Sequence, residues 1–193
     1  MLTKFFLGIN WVDVALAAVL FRVIFVSVQS GFISEVFKFF AIIVAAFVSL
    51  HWYVYLAAMI HDKTSLSMAV WEGIIFVLLN VLVLLVFWFI RMGIMMLFKA
   101  ETTHQGFDKY AAGFLGAGRA IFLGSLTIFA LLLTHHEYIQ RQALSSLGYK
   151  MVAKAVPNTY SFLYHRLVSK LFEGEKFNED VFAVVANHGA HPK

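Results

Sequence analysis

Four long apolar runs constrain this chain more than anything else in it: Trp11 to Val28, Ile33 to Ile60, Ala69 to Phe98, and Tyr110 to Thr134, with short polar joints between them. A helix that crosses a bilayer needs ~20 mostly apolar residues, and each run is long enough. The chain is 61% hydrophobic and 13% charged, against about 45–50% and about 25% in soluble proteins, so a soluble core could not hide these side chains. The expected fold is therefore all-α: a polytopic membrane protein with four transmembrane helices, whose first partner is the lipid bilayer. The net charge of +4 is modest and spread among the loops and the C-terminal third, which gives no reason to expect a nucleic-acid partner. With no cysteine, neither a disulfide framework nor a thiolate metal site is available.

A signal peptide competes for the first run, because Lys4 precedes it and Ala15-Leu16-Ala17 has a small-x-small pattern. Asp13 interrupts that would-be core and the apolar stretch continues well past it, so a membrane span is the better reading. The joint "SVQSGFIS", Ser27 to Ser34, is polar enough to turn, and Gly31 suits a tight hairpin between spans one and two. The joint "HDKTSLS", residues 61–67, is short enough to make spans two and three antiparallel neighbours.

Trp11, Trp52, Tyr53, Tyr55 and Trp71 fall at one membrane face, where amphipathic rings sit at the headgroup level. The opposite face collects Lys38, Arg91, Lys99 and Lys109, so the positive-inside rule puts both termini outside the cytoplasm. The basic residues Arg141, Lys150, Lys154, Arg166 and Lys170 of the C-terminal third pull the other way.

After Thr134 the pattern changes. Leu144, Leu147, Met151 and Ala155 recur at helical spacing, Pro157 breaks the run, and Tyr160, Leu163, Leu167 and Leu171 resume it. Two amphipathic helices are expected, lying on the membrane surface or packed against the chain's own spans. The expected organisation is thus a transmembrane domain over residues 1–135, an amphipathic segment over 136–173, and a loosely ordered tail from Glu173 onward, set as 174–193.

The fourth span is thin. Ala112, Gly116, Ala120 and Gly124 stand four apart and form one ridge, flanked by Gly113 and Ala117. Such ridges let helix backbones approach closely, either within one bundle or between copies. Arg119 lies nine residues beyond Lys109 and Arg22 eleven beyond Trp11, which counted along a helix puts both near mid-membrane. An arginine at that depth normally has a partner. The acids Asp13 and Glu72 fall near the aromatic face and Glu35 and Asp108 near the basic face, leaving Asn80 as the mid-depth polar candidate. The interior is then expected to carry excess positive charge, either as an anion-attracting site or polar pathway, or with both arginines snorkelling or tied to backbone carbonyls and neighbouring acids.

His51, His61, His135 and His136 come near the aromatic face and His188 and His191 lie in the tail, but no recognised ligand spacing links them. No phosphate-binding glycine loop, nucleophile elbow or H-E-x-x-H is present. The expectation is therefore no catalytic residue, no metal and no cofactor.

"NWVD" at 10–13, "GF" at 31 and 32 followed by Glu35, and Asp108 followed by Gly116 and Arg119 resemble the CvpA family, the colicin V production protein type. The likeness spans roughly residues 9–135, with 108–119 its most specific block. This chain departs from the family's usual pattern at Ser30 and Ser34, where basic residues are usual, at Lys109, at Ala112 and Ala120, and in having Arg22. The resemblance implies a small protein of the bacterial inner membrane with both termini periplasmic, associated with colicin V export and envelope homeostasis. The function expected is that of an accessory protein packing with itself, or with other inner-membrane or export proteins, through the fourth span. The competing expectation is a homo-oligomeric channel or transporter lined by the ridge and the arginines.

Overall fold

The computed structural model describes residues 10–98, 105–172 and 174–189. Lys4, Lys99, Glu173 and His191 lie outside the described residues. Four long helices dominate: α1 (Trp11–Ser30), α2 (Phe32–His61), α3 (Met68–Phe98) and α4 (Gln105–Leu133). Each is long and apolar enough to cross a membrane, and in lipid a helix satisfies its own backbone hydrogen bonds. The chain is an all-α polytopic membrane protein.

Helix α1 starts at a reciprocal cap. The Asn10 side chain accepts from Asp13 N at 3.1 Å, and Asp13 Oδ2 lies 3.4 Å from Asn10 N. Asp13 also reaches across the fold, its Oδ1 accepting from Gly148 N at 3.0 Å. The joint between α1 and α2 is shorter than its polar stretch suggests. Helix continues to Ser30 and resumes at Phe32, leaving Gly31 alone at φ 77°, ψ 154°. A side chain is strained at that φ, so glycine permits the reversal.

The expected hairpin contact between spans one and two is slight. Helix α4 packs instead against both, with α1 on one side and α2 on the other, and α3 lies along α2 and also touches α4. Small residues on α4 let it enter so closely between two helices joined by one residue. The densest packing lies toward the aromatic end, where Tyr53, Phe76 and Phe129 meet with ring centroids 5.0 to 6.0 Å apart.

The C-terminal third folds back over that end. Helices α5 (Glu137–Ser145), α6 (Leu147–Val152) and α7 (Ala155–Leu163) lead into a π-helical turn, Tyr164–Val168, and the short α8, Ser169–Leu171. The expected break at Pro157 falls instead at Ala153 and Lys154, and Pro157 sits buried in the first turn of α7. Its missing N–H costs nothing there, because first-turn donors have no intrahelical acceptor. Ala143, Ala153, Val156, Tyr160 and Tyr164 supply the buried face, packing on the chain's own spans. Leu147, Met151, Leu167 and Leu171, from the expected apolar stripe, face outward.

The segment expected to be a loose tail forms a further helix, α9 (Asp180–Gly189), packed against α4. Val181 and Val185 are buried there, Tyr149 Oη donates to the Val185 carbonyl at 2.8 Å, and Asn178 Nδ2 donates to the Leu50 carbonyl at 2.7 Å. Burial pushes the Tyr160 phenol up to about 12, so it remains a donor at neutral pH. It lies 3.1 Å from His51 Nδ1 and accepts from Asn178 N at 3.0 Å, while His51 Nε2 lies 3.2 Å from Glu175 Oε2.

An unpaired carboxylate at a fully buried position is far costlier than the small area of α9 can offset. Val181→Asp is therefore expected to release residues 174–189. Amide exchange there should rise to loop-like rates while α1–α4 stay protected; an unchanged exchange pattern would show that α9 does not depend on this contact.

Candidate functional site

The polar groups of the membrane region converge at the end of the bundle where α1 turns into α2. Glu35 sits in the first turn of α2, favoured there by the helix dipole, yet its side chain is 0% exposed. Arg119 Nη1 on α4 lies 3.0 Å from Glu35 Oε2. Arg119 Nη2 donates to Ser27 Oγ on α1 at 3.1 Å, and that hydroxyl is 2.9 Å from Glu35 Oε2 and 2.7 Å from the Val23 carbonyl. Lys38, one turn along α2, pairs with Glu35 Oε1, and its ammonium also donates to Ser30 Oγ at 2.7 Å. One carboxylate thus ties three helices together.

A second cation approaches from α3, where Arg91 Nη1 donates to Ser34 Oγ at 2.7 Å. Between α2, α3 and α4 lies a cavity of about 250 Å³ onto which Lys38, Arg91 and Arg119 open. Its walls are apolar, formed by Phe37, Ile42, Leu84, Phe87, Trp88 and Leu123. Nε of Arg91 and Nε of Arg119 are both buried and have no hydrogen-bond partner among the described residues.

The intramembrane polar residues separate into different environments. Arg119 is level with the first turn of α2, near the α1–α2 turn, and stands midway along α4. Helix α4 begins 14 residues earlier, at Gln105, and runs about 20 Å beyond Arg119 by its helical rise. Asn80 is not its partner: Asn80 Nδ2 donates to the Phe76 carbonyl one turn back, at 2.9 Å. Arg22 leaves the interior altogether and is exposed on α1 beside Phe21, Ile24 and Phe25. The expected internal surplus of positive charge is thus carried by Lys38 and Arg91 with Arg119, and is partly compensated by Glu35. Asp13 caps α1, and Asp108 is half-buried in the first turn of α4 without a hydrogen-bond or ion-pair partner among the described residues.

The small ridge faces inward. Ala112, Gly116, Ala120 and Gly124 are buried, with Gly113 and Ala117 half-buried beside them. A Cβ at Gly116 would collide with Cβ and Oγ of Ser27, the residue that bridges Glu35 and Arg119. A Cβ at Gly113 would come 3.3 Å from Val28, and one at Gly124 would come 3.3 Å from Val152. The ridge therefore seats α1 along α4 and, at Gly124, seats the C-terminal cover. Sequence reasoning singled out Glu35 and Arg119 but did not join them, and it read Lys38 and Arg91 as topology signals. Their position near the ends of adjacent antiparallel spans is the signal that brings them together.

The histidines disperse. His51 joins Tyr160 and Glu175, His61 Nδ1 lies 2.8 Å from the Leu66 carbonyl, and His135 Nδ1 lies 2.8 Å from the Leu133 carbonyl. Among the described residues no three metal-ligating side chains cluster.

A family model described as colicin V production protein matches residues 12–157. The chain belongs to the colicin V production protein family. That match runs from the first turn of α1 through all four spans and into α7, so it contains the whole Ser27, Glu35, Arg119 junction and the cationic cavity. Comparison with curated proteins and with solved structures gives no significant match.

Removing one member of a buried ion pair leaves the other uncompensated, at a typical cost of about 3–5 kcal/mol. Glu35→Ala should lower thermal stability in detergent accordingly, and adding Arg119→Met should recover much of the loss; equal losses in the single and double variants would contradict the coupling. Overpacking at a close helix contact costs about 1–3 kcal/mol. Gly116→Val should destabilise by at least that amount, and combining it with Ser27→Gly should restore part of it.

Proposed function

We propose that this chain is a non-enzymatic accessory protein of a bacterial inner membrane, with both termini on the periplasmic side. It assists colicin V type export or envelope homeostasis by packing against another membrane protein or a second copy of itself. The observation that carries this reading over a channel is the fate of the ridge on α4. Gly116 is closed by Ser27 and Gly124 by Val152 and Leu20, so the small residues are spent inside the chain and do not offer a pore lining. The faces left for partners belong to α1 and α3. Leu78, Leu82 and Leu85 form an apolar strip on α3, and Phe21 and Phe25 stack on α1 with centroids 6.4 Å apart, beside the outward Arg22.

An arginine turned outward from a spanning helix is costly unless it reaches water, a headgroup or a partner's polar group. That favours α1 as the partner face, where a carboxylate on the other protein would complement Arg22.

The purified protein should be silent in planar bilayers, and a photocrosslinker at Phe25 should capture a second membrane protein, or a second copy, in cells. Steady conductance from the purified protein alone would overturn the accessory reading in favour of a channel. Cysteines placed near the two ends, in a chain with none of its own, should react with an impermeant reagent from the periplasmic side. Labelling from the cytoplasmic side would reverse the topology.

A further inference from the structure

We propose that the cavity between α2, α3 and α4 is a binding site for the phosphate-bearing headgroup of an anionic membrane lipid, with the lipid's hydrocarbon lying on the cavity's apolar wall. Three observations meet there. The first is charge: Lys38, Arg91 and Arg119 open on the cavity, while Glu35 is the one carboxylate within salt-bridge distance of any of them among the described residues. Three cations against one anion leave a surplus of two positive charges.

The second is unmet donor capacity. A guanidinium carries five N–H donors in a planar fork matched to phosphate oxygens. The Nε donors of Arg91 and Arg119 are buried and unpartnered among the described residues. Arg91 has Ser34 as its polar partner, and Ser34 is a neutral hydroxyl. Buried donors of this kind are normally satisfied, so two beside one cavity point to an acceptor that arrives from outside the chain. A phosphate presents several anionic oxygens at once and can meet both forks and the Lys38 ammonium.

The third is the wall. Phe37, Ile42, Leu84, Phe87, Trp88 and Leu123 are apolar, and Trp88 is exposed toward the surroundings of the bundle. A free inorganic anion gains nothing from such a lining. A lipid gains both ends: charge-assisted hydrogen bonds at the head and apolar contact along the chain. The site is also partly open rather than sealed, as entry from the bilayer requires. This assignment stands independently of whether the chain assembles with a partner through α1.

Native mass spectrometry of the full chain released from detergent, with added phosphatidylglycerol, phosphatidic acid or phosphatidylcholine, tests it. The two anionic lipids should be retained roughly tenfold or more in preference to phosphatidylcholine, the size expected when one charge-assisted contact is gained. The Lys38→Gln, Arg91→Gln double variant leaves the Glu35–Arg119 pair in place and should fall to the phosphatidylcholine level. Leu84→Trp keeps every charge but fills the wall, and should lower retention of all three lipids; it decides the matter if the charge variant does not fold. Inorganic phosphate should compete weakly. Equal retention of anionic and zwitterionic lipids, retention unaltered in both variants, or full displacement by inorganic phosphate at concentrations comparable to the lipid would overturn the assignment.

Discussion

A carboxylate buried at the end of a membrane bundle must be neutralised, and the way Glu35 is neutralised organises the rest of the molecule. Its oxygens are shared between Arg119 on α4, Ser27 on α1 and Lys38 on its own helix. Desolvating such a pair is expensive, and an apolar substitute of the same shape is often as stable, so the pair is better understood as a positioning device than as a source of stability. It fixes the level at which α4 stands between α1 and α2. Gly116 is the steric counterpart of that constraint. It lies one turn before Arg119 and presents no Cβ to Ser27, which lets α1 approach close enough for the serine to reach both charges.

The same junction leaves a surplus. Glu35 compensates one positive charge, and Arg91 stands across the cavity with a hydroxyl for a partner. In a medium of low dielectric, that imbalance is felt much more strongly than it would be in water. A bundle held together by this pair thus carries, among the described residues, two more cations than carboxylates around one cavity.

At the opposite end the fold solves a different problem. Helices α2 and α4, of 30 and 29 residues, extend ~45 Å by their rise, well beyond the ~30 Å of a hydrocarbon core. Their aromatic ends therefore need cover, and α5–α9 provide it. Buried Tyr160, Val156 and Val181 pack on the spans while Met151, Leu167 and Leu171 remain outward. Pro157 was misread for a local reason: proline stops a helix at its interior but is welcome in its first turn.

Run length and the placement of tryptophans were enough to establish four spanning helices and their alternation, because the demand that each helix cross lipid is local to each run. The thin face of α4 was equally legible, since spacing by four repeats along one helix. What occupied that face was not, and neither was the partner of Arg119, because both depend on the order in which helices pack. One glycine between α1 and α2 suggested that they pair, yet α4 lies between them. Tertiary structure alone decided that Arg119 meets Glu35, that Arg22 faces outward, and that Lys38 and Arg91 share a cavity. Each of those outcomes is set by which side of a helix is turned toward which neighbour, a relation between distant segments that no single segment encodes.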